Sequence, residues 1–197
     1  MAKHSLEAKY GLGADELLDA INGRFRLRVA LEGAVAEVHM EKRIASLVAS
    51  VIDRYEVHDL DAHPDFSIWL PGRLTPLFAE CKNVRESTKA GGEAYRRAGE
   101  IVAYKVETQK TRAATGDPTS RYYDITQYHI LGVCLGKKTG DWSNFMFVRT
   151  IDLLCHAKHS HKLAVMQRVP LPGAENIRPW YAELADLLRN IDAPPCR

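Results

Sequence analysis

The chain has 197 residues, a formal net charge of +2, and 46% apolar against 26% charged residues. Those proportions suit a single soluble globular domain, and no run approaches the roughly 18 uninterrupted apolar residues of a membrane span. A charge of +2 is too small to argue for a polyanionic partner by itself, so the distribution of charge has to be read segment by segment.

Polar residues Lys3, His4, Glu7 and Lys9 interrupt the N-terminus, so no signal-peptide pattern is read there. Cys81, Cys134, Cys155 and Cys196 show no CxxC spacing. They read as reduced thiols, which with the missing signal pattern points to a cytoplasmic protein rather than a disulfide framework or zinc ribbon.

In chain order, a short helix is expected over 14–22, then a long one over 26–48. In the long helix Leu27, Leu31, Ala34, Val35, Val38, Ala45 and Val48 share one stripe at helical spacing, which predicts the buried face. Glu41 falls inside that stripe and Glu37 at its edge, whereas Glu32 points away. A glutamate on the core side of a helix needs a partner, which an ion pair or a metal ion would supply.

A strand is expected over 54–58. Two β-prone runs follow, 66–70 and 74–84, around the turn signal Pro71-Gly72-Arg73. If the turn centres between Gly72 and Arg73, cross-strand partners have position numbers adding to 145. Asp65 then lies opposite Glu80, on the same face as Glu80 and Lys82, with Cys81 pointing to the other side. A slip of one residue would scatter the three groups. Two carboxylates and an ammonium gathered in this way make a seat for a hard cation beside a fixed positive charge. Mg²⁺ or Mn²⁺ takes oxygen ligands and needs only one or two carboxylates when substrate phosphate completes its shell.

Further along, Gly91-Gly92 breaks the chain before a helical stretch expected to about 103, and 104–111 could finish that helix or form a strand. Residues 113–121 read as a loop. Strands are expected over 127–135 and 144–149, paired across 136–142. A short helix over 151–157, a strand over 162–169, a stop at Pro170-Leu171-Pro172-Gly173 and a final helix from near Pro179, capped by Asn176, complete the chain. Trp180, Leu184, Leu187, Leu188 and Ile191 are expected to face inward.

Pro64-Asp65 and Glu80-Cys81-Lys82, held at hairpin distance, resemble the PD-(D/E)xK nuclease superfamily, which includes most type II restriction endonucleases and the archaeal Holliday-junction resolvases. The resemblance covers about residues 26–85. It implies that Asp65 and Glu80 hold the metal and that Lys82 assists the attacking water. It also implies an auxiliary acid from the preceding helix. Gly33-Ala34-Val35-Ala36-Glu37 fits the resolvase spacing of a glycine four residues before it, so Glu37 is favoured and Glu41 kept in reserve. The fold implied is α/β, a restriction-endonuclease-like three-layer sandwich with a central mixed sheet flanked by helices. A single domain over 1–197 is expected, with a catalytic core of about 26–135; residues 136–197 complete the sheet and add the C-terminal helix.

The segment from Lys82 to Arg121 carries nine Lys/Arg against five acids, a basic stretch directly after the proposed catalytic strand. Within it Gln109, Lys110, Arg112, Ser120 and Arg121 are types that hold phosphates or read base edges, and they are the candidate DNA contacts.

Other patterns are set aside. Cys155-His156-x-x-His159-x-His161 is crowded for zinc and has no second cluster. Gly132 to Lys138 imitates a phosphate loop with the wrong spacing. No GxSxG occurs.

The expectation is therefore a Mg²⁺-dependent endodeoxyribonuclease, with Mn²⁺ able to substitute. It would cut double-stranded DNA as a type II restriction enzyme does, leave 5′-phosphate and 3′-hydroxyl ends, and work as a homodimer away from any membrane. A junction resolvase and a non-catalytic DNA-binding protein on the same scaffold are the alternatives.

Overall fold

The computed structural model describes residues 5–60, 63–86, 92, 94–110 and 114–195. The chain divides into two compact units, residues 1–35 and 36–197. The first holds α1 (Ser5–Tyr10), α2 (Ala14–Asn22) and the opening turns of α3 (Phe25–Ala45).

The second unit is built on β1 (Arg54–Val57), β2 (Phe66–Trp69), β3 (Leu77–Asn83), β4 (Ala94–Arg97), β5 (Glu100–Glu107), β6 (Ile130–Cys134), α4 (Gly136–Thr139), β7 (Phe145–Arg149), β8 (Cys155–His156), β9 (His159–Leu163), β10 (Met166–Val169) and α5 (Leu184–Arg189). Its central sheet has the order β1-β2-β3-β6-β7, antiparallel except for the parallel β3–β6 pair. The fold is mixed α/β around a central mixed sheet. A parallel pair cannot be joined by a tight turn. The excursion from residue 84 to 129 that connects β3 to β6 forms β4 and β5, which with β10 make a second, antiparallel sheet.

Side-chain alternation assigns the two faces. Phe66, Ile68, Leu77, Ala79, Cys81, Ile130, Cys134, Phe145 and Phe147 pack with Ala36, Met40 and Ile44 of α3 and Leu184, Leu187 and Leu188 of α5. The intervening residues Leu131, Val133, Met146 and Val148 pack instead with Val106 of β5, Val169 of β10, Tyr123, Tyr128 and Trp180. The two longest helices of this core share one face, and the second sheet covers the other. The third layer is therefore β rather than helical. Gly132 lets α3 approach closely: a Cβ there would stand 2.7 Å from the Met40 sulfur.

Several local expectations are corrected. In α3 the buried row is Ala36, Met40 and Ile44, whereas Leu27, Leu31, Val38 and Val48 are exposed. The helix has two apolar rows, and the one that fits against Gly132 takes the core. Residues 94–107 form a β-hairpin, not a helix; its turn uses Ala98 and Gly99 at φ 50° and 88°, and pairing with β10 outweighs the helix propensity of its Ala and Arg residues. The stretch 151–157 is a short 3-10 turn followed by β8, and 162–169 is split between β9 and β10. The last helix begins at Leu184 with Glu183, not Asn176, at its N-cap, although Trp180, Leu184, Leu187 and Leu188 are buried as expected. No helix among the described residues is long and apolar enough to cross a membrane.

Candidate active site

The β2–β3 hairpin turns on Gly72 at φ 75°, a left-handed conformation that suits glycine. Its pairs are Phe66↔Ala79, Ser67↔Phe78 and Ile68↔Leu77, each adding to 145. Asp65 is the next residue outward, and its Oδ2 accepts a 2.7 Å hydrogen bond from the Cys81 amide, the N–H of the Glu80–Cys81 peptide. Cys81 itself is buried under α3. Glu80 and Lys82 point the other way, beside Leu131 and Val133 of β6 in register.

Glu80 is 4% exposed, and its partners keep it there. Its Oε1 accepts from the Lys82 ammonium and from the Tyr123 phenol, the latter at 2.5 Å. A buried carboxylate without such donors would be severely penalised. Sequence reasoning missed Tyr123. It lies 41 positions after Lys82 in an irregular segment, and only the packing of that segment against β6 brings it in. Its ring carries the Lys82 ammonium at 5.6 Å and the Lys110 ammonium at 5.8 Å from the centroid. Tyr128 meets Tyr123 edge-on at 5.2 Å.

The electrostatics follow from this crowding. Burial, and next the Glu80 charge, push the Asp65 carboxyl up to about 7, against the opposing pull of Lys82 and the Cys81 amide. Burial works to discharge Lys82, but Glu80 first, then Tyr123 and Asp65, outweigh it and hold the ammonium well above the usual lysine range. Lys82 is thus a fixed cation at neutral pH, not a proton acceptor. Burial likewise raises the Tyr123 phenol, so it stays a hydrogen-bond donor.

Glu37 lies on α3 next to the buried Ala36. Its carboxyl is raised by desolvation first, with Lys82 opposing and Glu80 and Asp59 adding, so it sits within the field of the hairpin groups. Glu41, one turn further, accepts a 3.1 Å hydrogen bond from the Tyr55 phenol. That bond satisfies the core-side glutamate without a metal.

Among the candidate DNA contacts, Gln109 donates to Glu107 and its backbone bridges Tyr122. Lys110 and Arg121 are joined through two bonds: the Lys110 amide donates to the Arg121 carbonyl, and Arg121 Nε donates to the Lys110 carbonyl. Ser120 serves its own turn, accepting from the Ala114 amide and donating to the Asp117 carbonyl. Arg112 lies outside the described residues. Lys110 is linked to the hairpin groups through the Tyr123 ring, whose hydroxyl donates to Glu80.

The donor set fits a hard cation held at few points. Glu80 and Asp65 each keep one carboxylate oxygen without a hydrogen-bond donor among the described residues. Their mutual repulsion is what a divalent charge would relieve. No closed cage is present: among the described residues no three His, Cys, Asp or Glu side chains are grouped to surround an ion, and this includes the Cys155–His161 run. There His156 stacks instead between Tyr122 and His159, at 4.6 and 4.9 Å.

Asp65 binds its proton more tightly in the folded chain than in the unfolded one. Its contribution to stability is therefore complete below about pH 4 and lost as pH rises through about 7. Millimolar Mg²⁺ is expected to raise the thermal midpoint at pH 8, by about 1–3 kcal/mol of stability at 10–100 times the dissociation constant, and to do nothing at pH 5, where protons hold the site. Differential scanning fluorimetry at the two pH values, with Ca²⁺ and chelator arms, measures this. Equal shifts at both would count against Asp65 as a ligand.

No family model matches the chain, and no curated protein matches it. Among solved structures it is similar to a bacterial homing endonuclease, I-Ssp6803I, with a TM-score of 0.46 and 12% sequence identity, over 76% of this chain and 83% of that one. At that level the likeness assigns no role to any residue here.

Proposed function

We propose that this chain is a divalent-metal-dependent endonuclease that hydrolyses phosphodiester bonds in double-stranded DNA, with sequence-specific cleavage of the restriction type as the finer reading. The observation that supports it most is the convergence of Asp65, Glu80 and Lys82 on one side of a hairpin end. There burial first, and the Glu80 charge next, push the Asp65 carboxyl toward protonation, and Glu80 holds the lysine cationic. A purely structural ion pair needs one carboxylate per ammonium; this site has two, with a third in its field.

Asp65 and Glu80 would hold the cation, with Glu37 as the auxiliary acid. Bound there, Mg²⁺ or Mn²⁺ would supply a water of lowered pKa and neutralise charge on the phosphoryl oxygens. Lys82, locked in its cationic form, stabilises the charge that gathers on the pentavalent phosphorus and orients the water through its N–H bonds. Tyr123, with Lys82, holds the Glu80 carboxylate through one of its oxygens and leaves the other without a donor among the described residues. Lys110, with Gln109, Arg112, Ser120 and Arg121, belongs to the basic stretch that would grip the DNA backbone and read its edges.

The test is cleavage of supercoiled plasmid, linear duplex and four-way junction DNA with Mg²⁺, Mn²⁺ or chelator. Fixed-length fragments from linear duplex, with ends that map to one short sequence, are expected. Preference for the junction would replace the restriction reading with that of a resolvase. Metal-independent binding without cleavage on all three substrates would sink the catalytic reading altogether.

A further inference from the structure

Four stretches far apart in the chain meet at one end of the central sheet: the β2–β3 turn, the residues just before β6, the turn after β7 and the residues after α5. Between them lies a cavity of about 360 Å³. That volume suits a small molecule, and small-molecule sites are mostly apolar with a few placed polar groups. Leu77, Tyr128, Ile151, Leu153 and Ile191 form the apolar wall. Leu77, Tyr128 and Leu153 are themselves core residues, so the wall is set by the packing of the fold.

The polar groups of the lining are mainly donors. Thr150 is 3% exposed and Tyr128 1%, yet Thr150 Oγ1 and Tyr128 Oη have no hydrogen-bond partner among the described residues. A buried hydroxyl left unbonded is a standing cost to the fold. Nearer the surface, His129 Nδ1 accepts a 2.9 Å bond from the Phe78 amide, so the neutral ring carries its proton on Nε2. Burial first, and the Arg73 charge next, lower the pKa of this ring and keep it neutral at pH 7. Arg73 gives only Nη1 to Asp192, at 3.1 and 3.2 Å; its Nε and Nη2 have no acceptor among the described residues. Asp192 is the one acid at the mouth of the cavity, and Arg73 already engages both of its oxygens.

We propose that this cavity binds a small organic carboxylate that carries a second polar atom at its far end. The carboxylate lies at the mouth and accepts from Arg73 and from the His129 Nε2–H. The apolar body lies against Leu77, Leu153 and the Tyr128 ring, and the second polar atom meets the Thr150 hydroxyl at the floor. Free donors outnumber free acceptors in the lining, which selects an acceptor-rich ligand over an amine. A guanidinium presents a planar fork that pairs with a carboxylate at two points. The Arg73–Asp192 pair does not compete strongly, because the Asp192 side chain is 77% exposed and an ion pair in solvent is worth little. A bare inorganic anion would leave the apolar wall unused, and a hydrocarbon would leave the donors unused. All these residues belong to the 36–197 unit, and the site stands independently of the nuclease reading.

Isothermal titration of the full chain with 4-hydroxybenzoate, without DNA or metal, is expected to show one saturable site with a dissociation constant of about 1 mM or tighter. Benzoate lacks the far polar atom and is expected to bind at least about threefold more weakly; 4-hydroxybenzyl alcohol and inorganic phosphate are expected to bind at least about tenfold more weakly. Arg73→Gln removes the charge at the mouth. His129→Asn removes the Nε2 donor, while the new side-chain oxygen can still accept from the Phe78 amide. Each is expected to weaken 4-hydroxybenzoate at least about tenfold, with circular dichroism and thermal midpoint near wild type. Thr150→Val keeps the shape of the side chain and is expected to erase the preference over benzoate. The ranking of the four probes on the wild type decides the matter whether or not a variant folds. Absence of saturation overturns the proposal, as does affinity for the alcohol, phosphate or benzoate equal to that for 4-hydroxybenzoate. So does a folded Arg73→Gln protein that binds as tightly as the wild type.

Discussion

Asp65→Asn is expected to abolish DNA cleavage, by at least about 10³-fold, and at the same time to make the metal-free protein more stable at pH 8. The two effects share one cause. At that pH the Asp65 carboxyl, pushed up to about 7 by burial and by Glu80, is ionised against the preference of its surroundings. Asparagine mimics the protonated acid in shape and removes the repulsion. Its amide oxygen can still accept the bond from the Cys81 amide, so the hairpin end keeps its geometry. The gain is expected to be about 1–2 kcal/mol, less than the full shift would give because the group is partly hydrated. It should be smaller at pH 5 and vanish only below about pH 4, where Asp65 is protonated in the folded and the unfolded chain alike. The loss of cleavage comes from losing a metal ligand and its charge, which removes stabilisation needed only in the transition state. Urea unfolding at pH 5 and pH 8, beside a plasmid assay, measures both. If Asp65 served only structure, the variant would lose stability at pH 8 and cleavage would fall no further than the folded fraction. A stable variant that still cuts would remove Asp65 from the site.

Much of the site could be read in the sequence because a hairpin is local. Pro71-Gly72 fixes the turn, the turn fixes the register, and the register decides that Glu80 and Lys82 share a side while Cys81 goes to the core. None of that needs a distant contact. α2 was equally legible, since its bounds at Ala14 and Asn22 rest on one short apolar period. What failed depended on partners far away in the chain. The buried row of α3 could not be chosen between two apolar rows without knowing that Gly132 leaves room for Met40. The hairpin over 94–107 becomes strand because β10, some sixty residues on, pairs with it. Tyr123 reaches Glu80 across an irregular segment with no periodicity to announce it. The second sheet is the sum of such non-local pairings, which explains why a helical layer was expected where a β layer stands.

Arg149 offers the largest expected effect on stability, and nothing in its sequence context distinguishes it from the end of an ordinary strand. It is 2% exposed, and its Nε donates to Asp152 Oδ2 at 2.6 Å. Its remaining N–H groups reach the carbonyls of Asn190, Ala193 and Pro194 at 3.0, 2.6 and 3.1 Å. A planar guanidinium with donors fanned in one plane can satisfy a carboxylate and several carbonyls at once, which lysine cannot. The side chain thereby pins the segment after α5 to the end of β7, close to where Phe147 and Tyr181 exchange backbone hydrogen bonds. Arg149→Met is expected to cost about 3–5 kcal/mol, because Asp152 is left charged, buried and without its guanidinium. The double variant Arg149→Met, Asp152→Leu is expected to recover at least half of that loss, since burying two apolar groups carries no unpaired charge. Denaturant unfolding of the four members of the cycle gives a coupling of about 2 kcal/mol or more. Cleavage assayed well below each midpoint should stay near wild type, as the cluster lies apart from Asp65, Glu80 and Lys82. A single variant losing under about 1 kcal/mol would mean that solvent reaches Asp152 in solution and that the staple carries little of the fold's stability.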